Sequence, residues 1–321
     1  MHEGLLFQPM ESLPIIYAVK KEVCRVRILS FGSMNLDYVY QVDHFVGPGE
    51  TLSATSQTVN PGGKGLNQSI ALARAGAAVW HAGCIGKGGE MLKPLLEENA
   101  VATEHLWPVN VLQGNAVIQV APSGENCILL FGGSNQCVTS AQIDQTLAAF
   151  GEGDYLVLQN EINNLPELVE KAHARGMRIF LNPSPFNQKI EAISLKCVDW
   201  LLVNEVEACQ LSGKDAPERA WEILHDQYPE LSLLMTLGGA GSAAYQGDSV
   251  YRQSAFPVKA VDTTAAGDTF TGYFIAALAE GRPLPECMRR ASMAAAISVT
   301  RAGAAPSIPM SEEVNQALMN A

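Results

Sequence analysis

Between residues 154 and 246 the chain alternates short apolar runs with amphipathic stretches, and that rhythm admits few folds. Residues 155–159, 178–181, 200–203 and 233–237 are β-rich runs bounded by polar or glycine-containing segments. Helical spacing fills the gaps, as where Leu165, Leu168, Val169 and Ala172 share one face over residues 165–174. Alternation of this kind predicts a doubly wound, mostly parallel α/β sheet with right-handed crossovers. Ligands of such sheets lie beyond the C-terminal strand ends. Polar residues follow each run here: Asn160-Glu161, Asn182-Pro-Ser-Pro185, Asn204-Glu-Val-Glu207 and Thr236-Leu-Gly-Gly-Ala-Gly241. A length of 321 residues with 47% hydrophobic content suits one large domain, expected over residues 25–321.

The N-terminal half begins with a β-rich run at 26–31 that ends in Gly32. Ser33-Met-Asn35-Leu-Asp37 follows, and in an extended chain the i, i+2 spacing points Asn35 and Asp37 to one face. Loop chemistry alone would also favour these two residue types. Residues 38–60 read as short strands broken by Gly47-Pro-Gly49. Runs at 116–120 and 126–131 flank Pro122-Ser-Gly-Glu125 as a hairpin. Together they predict a small β lid over the site, from about 36–60 and 115–131. An Ala-rich helix is expected over 69–76, a strand over 79–85, and a loop and helix over 86–99.

Charge and cysteine content exclude several function classes. The balance of 21 basic and 33 acidic residues gives a net charge of -12 with no basic run, which argues against nucleic-acid or anionic-membrane partners. Seven cysteines without C-x-x-C pairs or metal-ligand spacing read as reduced thiols, consistent with a cytoplasmic protein. Residues 1–24 read as a disordered or loosely docked extension. Their apolar run, Leu13–Val19, is too short to span a bilayer and follows no basic segment. The six histidines form no metal pattern.

Two glycine-bearing strings carry the chemistry. In Asp262-Thr-Thr-Ala-Ala-Gly-Asp268-Thr-Phe270, small residues Ala265, Ala266 and Gly267 feed a helix whose apolar face is Phe270, Tyr273, Phe274, Ala277 and Leu278. Bare amides at a helix start form an anion site. A carboxylate there repels an anion, so Asp268 is either a simple cap or a base that takes a proton from a hydroxyl attacking a phosphoryl group. The second string, Pro61-Gly62-Gly63-Lys64-Gly65-Leu66-Asn67-Gln68, offers backbone and side-chain donors at another helix start. It is no Walker A loop, since Gly65 follows the lysine where Ser or Thr would be needed. Asn204 reads as a helix cap with Glu207 as its box partner.

Both strings resemble the signatures of the ribokinase branch of the PfkB family of sugar kinases, in the family's order and over roughly residues 26–310. The family form usually has Gly-Ala-Gly-Asp, so Ala265 stands where glycine is common. The resemblance implies a ribokinase-like fold and sugar binding by Asn35, Asp37, Gly63, Lys64, Asn67, Glu161 and Asp268. It implies Asp268 as base, with the amides of Ala265, Ala266 and Gly267 as oxyanion hole. Asn204, Thr236, Gly238, Gly241 and Gly267 would bind ATP, with Glu207 in the family's Mg²⁺-associated Asn-x-x-Glu motif. Asp262, Thr264, Ser298, Arg301, Gly303 and Ser307 would form a monovalent-cation loop for activating K⁺. Gly132-Gly-Ser-Asn135 stands where the family carries a Gly-Ala-Asn-like turn. The family commonly dimerises through its β lid.

The expected activity is therefore ATP-dependent phosphorylation of a pentose primary hydroxyl, D-ribose to D-ribose 5-phosphate, by a homodimer. The alternatives are a PfkB-family kinase for another sugar or a nucleoside, or a sugar-binding regulator without catalysis. Intact Asp268, Asn204 and Glu207 argue against the regulator.

Overall fold

The computed structural model describes residues 26–213 and 216–321; the extension expected over residues 1–24 lies outside them. In chain order the strands begin β1 (Arg27–Phe31), β2 (Asn35–Gln41), β3 (Ser56–Gly62), β4 (Ala78–Lys87), β5 (Ala102–Leu112), β6 (Asn115–Val120) and β7 (Asn126–Phe131). They continue with β8 (Tyr155–Gln159), β9 (Arg178–Asn182), β10 (Trp200–Asn204), β11 (Ser232–Thr236), β12 (Ser242–Gln246) and β13 (Ser249–Gln253). The helices are α1 (Lys64–Arg74), α2 (Leu92–Glu98), α3 (Ser140–Leu147), α4 (Leu165–Ala174) and α5 (Glu205–Ser212). After them come α6 (Pro217–Gln227), α7 (Ala266–Ala279), α8 (Leu284–Ser298) and α9 (Ser311–Met319).

The large sheet has the order β13-β12-β11-β10-β9-β8-β1-β4-β5. It is parallel from β11 through β5, and β12 and β13 extend it antiparallel. Alternation along each strand sends side chains to opposite faces. Ile28, Val157, Phe180, Leu202 and Leu234 pack against α1, α7 and α8. Leu29, Leu156, Leu158, Ile179, Leu201 and Leu233 pack against α3, α4 and α6. Each such buried side chain contributes about 1.5–3 kcal/mol. From β1 the chain builds outward to β4 and β5, and later returns to build β8 through β11 on the other flank. The C-terminal ends of β1 and β8 therefore flank the point where strand order reverses, the crevice in which such sheets bind ligands.

A second sheet in the order β3-β2-β6-β7 leaves the large sheet directly after β1. β2 pairs antiparallel with β3 and parallel with β6, and β6–β7 is a hairpin in which Val117 faces Leu129. On the core side, Gly272 of α7 lets two helices touch. A Cβ there would crowd Ala71 and lie 2.8 Å from the Leu72 nitrogen. That approach puts the start of α7 within side-chain reach of α1.

Several elements escape the sequence reading. β5 is an eleven-residue edge strand, ATEHLWPVNVL, in which polar residues break the alternation and Pro108 is tolerated because one edge is free. β12, β13 and α8 likewise have no counterpart in that reading, and α1 starts at Lys64 rather than near residue 69. Gly65 lowers helix propensity, yet it is required because a Cβ would run into the backbone of Gly32 and Ser33.

Candidate active site

Four segments converge where the strand order reverses. After β1 the backbone passes Ser33 and Met34 into β2, which carries Asn35 and Asp37. Gly63, at φ 92°, caps α1 and turns the Lys64 amide toward the loop beyond β8. There the Lys64 N–H donates to Glu161 Oε2 at 3.1 Å, and the Ser33 hydroxyl donates to the same oxygen. One turn along α1, Asn67 Nδ2 donates to Asp268 Oδ2 at 3.1 Å and Gln68 Nε2 to Oδ1 at 2.9 Å. Asn67 Oδ1 is buried with no protein partner, an acceptor that a ligand hydroxyl would satisfy. Asn35, Asp37, Gly63, Lys64, Asn67, Glu161 and Asp268 are thus brought together as one polar cluster between lid and core.

The charges of this cluster act on one another. Burial pulls the Lys64 ammonium down, but Asp268, Glu161 and Glu207 outweigh it and hold its pKa above the ordinary lysine value. Burial pushes the Asp37 carboxyl up, and the nearby Glu161 and Asp268 add to it, to about 7. Glu161 is also raised by burial, against the pull of Lys64 and of the bonds from Ser33 and the Lys64 amide. One cation thus serves several carboxylates, and a ligand rich in hydroxyl donors would relieve the rest.

Asp268 also borders a second cavity. Lys64, Asn182, Asn204, Glu207, Thr236, Ala265, Ala266, Gly267 and Asp268 line it together. Ala265 takes the left-handed conformation, φ 58°, as it caps α7. Of the three amides expected to form an oxyanion hole, Ala266 N–H is engaged by the Thr263 carbonyl at 3.2 Å. The Ala265 and Gly267 amides make no hydrogen bond among the described residues, and the Asp268 amide joins them. A Cβ on Gly267, Gly238 or Gly239 would meet nothing within 4 Å, so the wall is open where phosphate oxygens would approach. Glu207 is buried and closes a capping box with Asn204: its amide donates to Asn204 Oδ1 at 2.8 Å, and the Asn204 amide to Glu207 Oε2 at 3.1 Å. A neighbouring cleft of about 520 Å³, lined by Thr236, Gly238, Gly241, Gly267, Phe256, Val258 and Ala296, has room for a nucleoside. A buried carboxylate beside bare amides suits a triphosphate with its magnesium ion.

The six residues expected to form a cation loop lie outside both cavities. Asp262 Oδ1 accepts from Thr264 N–H at 2.9 Å and from its hydroxyl at 2.6 Å, and Oδ2 accepts from Gly303 N–H at 2.8 Å. Against the upward push of burial, these bonds hold the Asp262 carboxyl below the usual range. The Ser298 and Ser307 hydroxyls bond the Ala295 and Ala304 carbonyls at 2.9 and 2.8 Å, and the Arg301 guanidinium turns to Glu313 at 2.5 Å. A cation here would rely on backbone carbonyls and not on the Arg301 side chain.

Other contributors were not singled out from sequence. Gln159 Nε2 donates to Gln68 Oε1 at 2.8 Å, so Asp268 is backed by a buried amide chain. Thr263 and Ser184 line the phosphate-side cavity with Asn182. The clue for Gln68 and Gln159 was adjacency to Asn67 and Glu161, but only the fold joins them.

The model of the pfkB family of carbohydrate kinases matches residues 26–310. A ribokinase from Haemophilus influenzae is 36% identical over 307 residues, spanning 92% of this chain and 100% of that protein. The crystal structure of a Cryptococcus neoformans ribokinase in complex with ADP has a TM-score of 0.84 at 32% identity, covering 91% of this chain and 99% of that one. An Arabidopsis thaliana ribokinase complexed with ribose and ATP gives 0.80 at 27% identity, covering 92% and 98%. The chain belongs to the pfkB family of carbohydrate kinases.

Proposed function

We propose that this protein is an ATP-dependent kinase that phosphorylates the primary hydroxyl of D-ribose, giving D-ribose 5-phosphate and ADP. The observation that carries the reading is Asp268. Its carboxylate is joined to the polar cluster through Asn67 and Gln68 and stands at a helix start whose residues line the second cavity. With ribose held by Asn35, Asp37, Gly63, Lys64, Asn67 and Glu161, Asp268 takes the proton of the primary hydroxyl. The new oxygen–phosphorus bond forms as the bond to the β-phosphate bridging oxygen breaks, and ADP leaves with that electron pair. The amides of Ala265, Gly267 and Asp268 would stabilise charge on the transferring group, and Lys64 would offset charge between the two cavities.

ATP would lie along Asn204, Thr236, Gly238, Gly241 and Gly267, with Glu207 associated with its magnesium, which neutralises phosphate charge when bound. The 262–264 and 298–307 segments would hold a potassium ion, supporting the backbone that shapes the α7 amides. A homodimer through the β lid and a cytoplasmic location complete the proposal. No helix of the described residues is long and apolar enough to cross a membrane.

The deciding measurement is kcat/KM for ribose, 2-deoxyribose, hexoses and nucleosides at saturating ATP. A sugar lacking one hydroxyl strands a buried partner, at about 1–3 kcal/mol or about 5- to 150-fold. Ribose is expected to lead by that margin. Deoxyribose at parity would show that Asp37 does not grip the 2-hydroxyl and would reopen the substrate assignment.

A further inference from the structure

Asn135 lies on a short 3₁₀ turn, Gly133–Gln136, between the lid strand β7 and the core helix α3. It is buried at 2% exposure, and its carboxamide is spent on two residues a hundred positions away. Oδ1 accepts the Met34 N–H at 3.1 Å; Nδ2 donates to the Met34 carbonyl at 3.2 Å and to Asn35 Oδ1 at 2.7 Å. The two Met34 contacts are to backbone groups, one only a donor and one only an acceptor. They fix which end of the Asn135 amide is oxygen. The atom of Asn35 that meets Nδ2 must then be its oxygen, so the Asn35 NH₂ is turned the other way. That NH₂ makes no hydrogen bond among the described residues.

The surroundings are built for this arrangement. A Cβ on Gly114 would collide with Asn135 Nδ2 and lie 2.7 Å from Asn35 Oδ1, so the pair fills the space a side chain would take. Gln113 secures the same peptide from the core side: Nε2 donates to the Met34 carbonyl at 2.6 Å, and Oε1 accepts the Gly86 N–H at 2.8 Å. Met34 is the step between the core strand β1 and the lid strand β2, so the orientation of Asn35 is locked at the joint.

We propose that Asn135 is a positioning residue that sets the polarity of Asn35, holding its NH₂ as a fixed donor toward the oxygen of a sugar hydroxyl. The proposal rests on the ribose-kinase reading of the site. It makes Asn35 a donor while Asp37 accepts, so these two residues, two positions apart on β2, demand opposite hydrogen-bonding roles of the sugar.

Asn135→Asp tests it with almost no change of shape. A carboxylate can still accept the Met34 N–H but offers no donor to the Met34 carbonyl or to Asn35 Oδ1, which favours the flipped Asn35 amide. The expected result is a ribose KM raised about 5- to 150-fold, with the KM for ATP unchanged. The decisive comparison is the cycle of Asn135→Asp with Asn35→Ala. If Asn135 acts through Asn35, its effect on ribose KM largely disappears in the Asn35→Ala background. Equal effects of Asn135→Asp in both backgrounds would overturn the proposal while leaving the ribose assignment standing. No effect of Asn35→Ala on ribose KM would overturn the proposal as well, whereas absence of ribose turnover by the wild-type protein would overturn the ribose assignment itself. Circular-dichroism melting accompanies each variant. Should Asn135→Asp not fold, Asn135→Ser, which can donate one hydrogen bond, enters the same cycle with a smaller expected rise in KM and is judged by the same criterion.

Discussion

Asp268 is held from two directions, by Asn67 and by Gln68. Asp268→Asn keeps the shape but removes the proton acceptor, and loss of a positioned base costs about 10²–10⁴ in rate. A fall of that size in kcat with ribose is expected, with ribose affinity by calorimetry nearly intact. Retention of more than about a tenth of the wild-type kcat would show that another group is the base. Asp37 gives a pH prediction. Its pKa of about 7 is raised by burial and by Glu161 and Asp268, so the sugar-free protein carries it largely protonated below pH 7. The carboxylate is the stronger acceptor for the sugar's 2-hydroxyl, so ribose binding is expected to release that proton when the pH lies below 7. Ribose KM should rise as pH falls through about 7, up to about tenfold per unit. The folded protein binds this proton more tightly than the unfolded chain, so the group removes stability as pH rises from about 4 to 7. Glu161 titrates upward as well, which makes Asp37→Asn the control. A KM–pH profile unchanged in that variant would assign the dependence elsewhere.

At the scale of elements, the start of α7 depends on the loop around Asp262, whose own side chain lines neither cavity although its neighbour Thr263 does. Asp262 ties Thr264 to Gly303, and Val261 N–H bonds the Val299 carbonyl at 2.7 Å. The segment thus connects the end of α8 to the turn at Ala265. A potassium ion bound by carbonyls of this segment would stiffen the turn and the amides it presents. Activity is therefore expected to rise several-fold on replacing tetramethylammonium with potassium at constant ionic strength, and equal rates would defeat the cation assignment. These elements also mark what a sequence discloses. The face of α7 was readable because its period is local, and Asp268 because its neighbours are small. β5 was not, since its Glu, His and Pro residues break the alternation of an edge strand. The hydrogen bond from Gln159 to Gln68 spans 91 positions, and the Asn135 pair a hundred. Such partners are set by sheet order, which periodicity does not encode.

At the scale of the whole molecule, the lid presents a surface that a single chain leaves uncovered. β7 ends the four-stranded sheet, so one of its edges is free. Successive residues of a strand point to opposite faces, yet Ile128, Leu129, Leu130 and Phe131 are 52, 71, 46 and 52% exposed. Both faces of an apolar edge strand are therefore in contact with solvent, a condition proteins usually avoid because it invites pairing. A second copy related by a two-fold axis would cover it with the same surface, in keeping with the homodimer proposed above. The lid carries Asp37 and the start of β2, so closing two lids together would also steady the sugar side of the pocket. Light scattering after size exclusion is expected to give a dimer for the wild-type chain. Leu129→Glu, at the most exposed of these positions, should shift it toward monomer and raise ribose KM, with little change in the KM for ATP. A wild-type monomer, or a dimer unaffected by the charge at residue 129, would remove the lid from the interface.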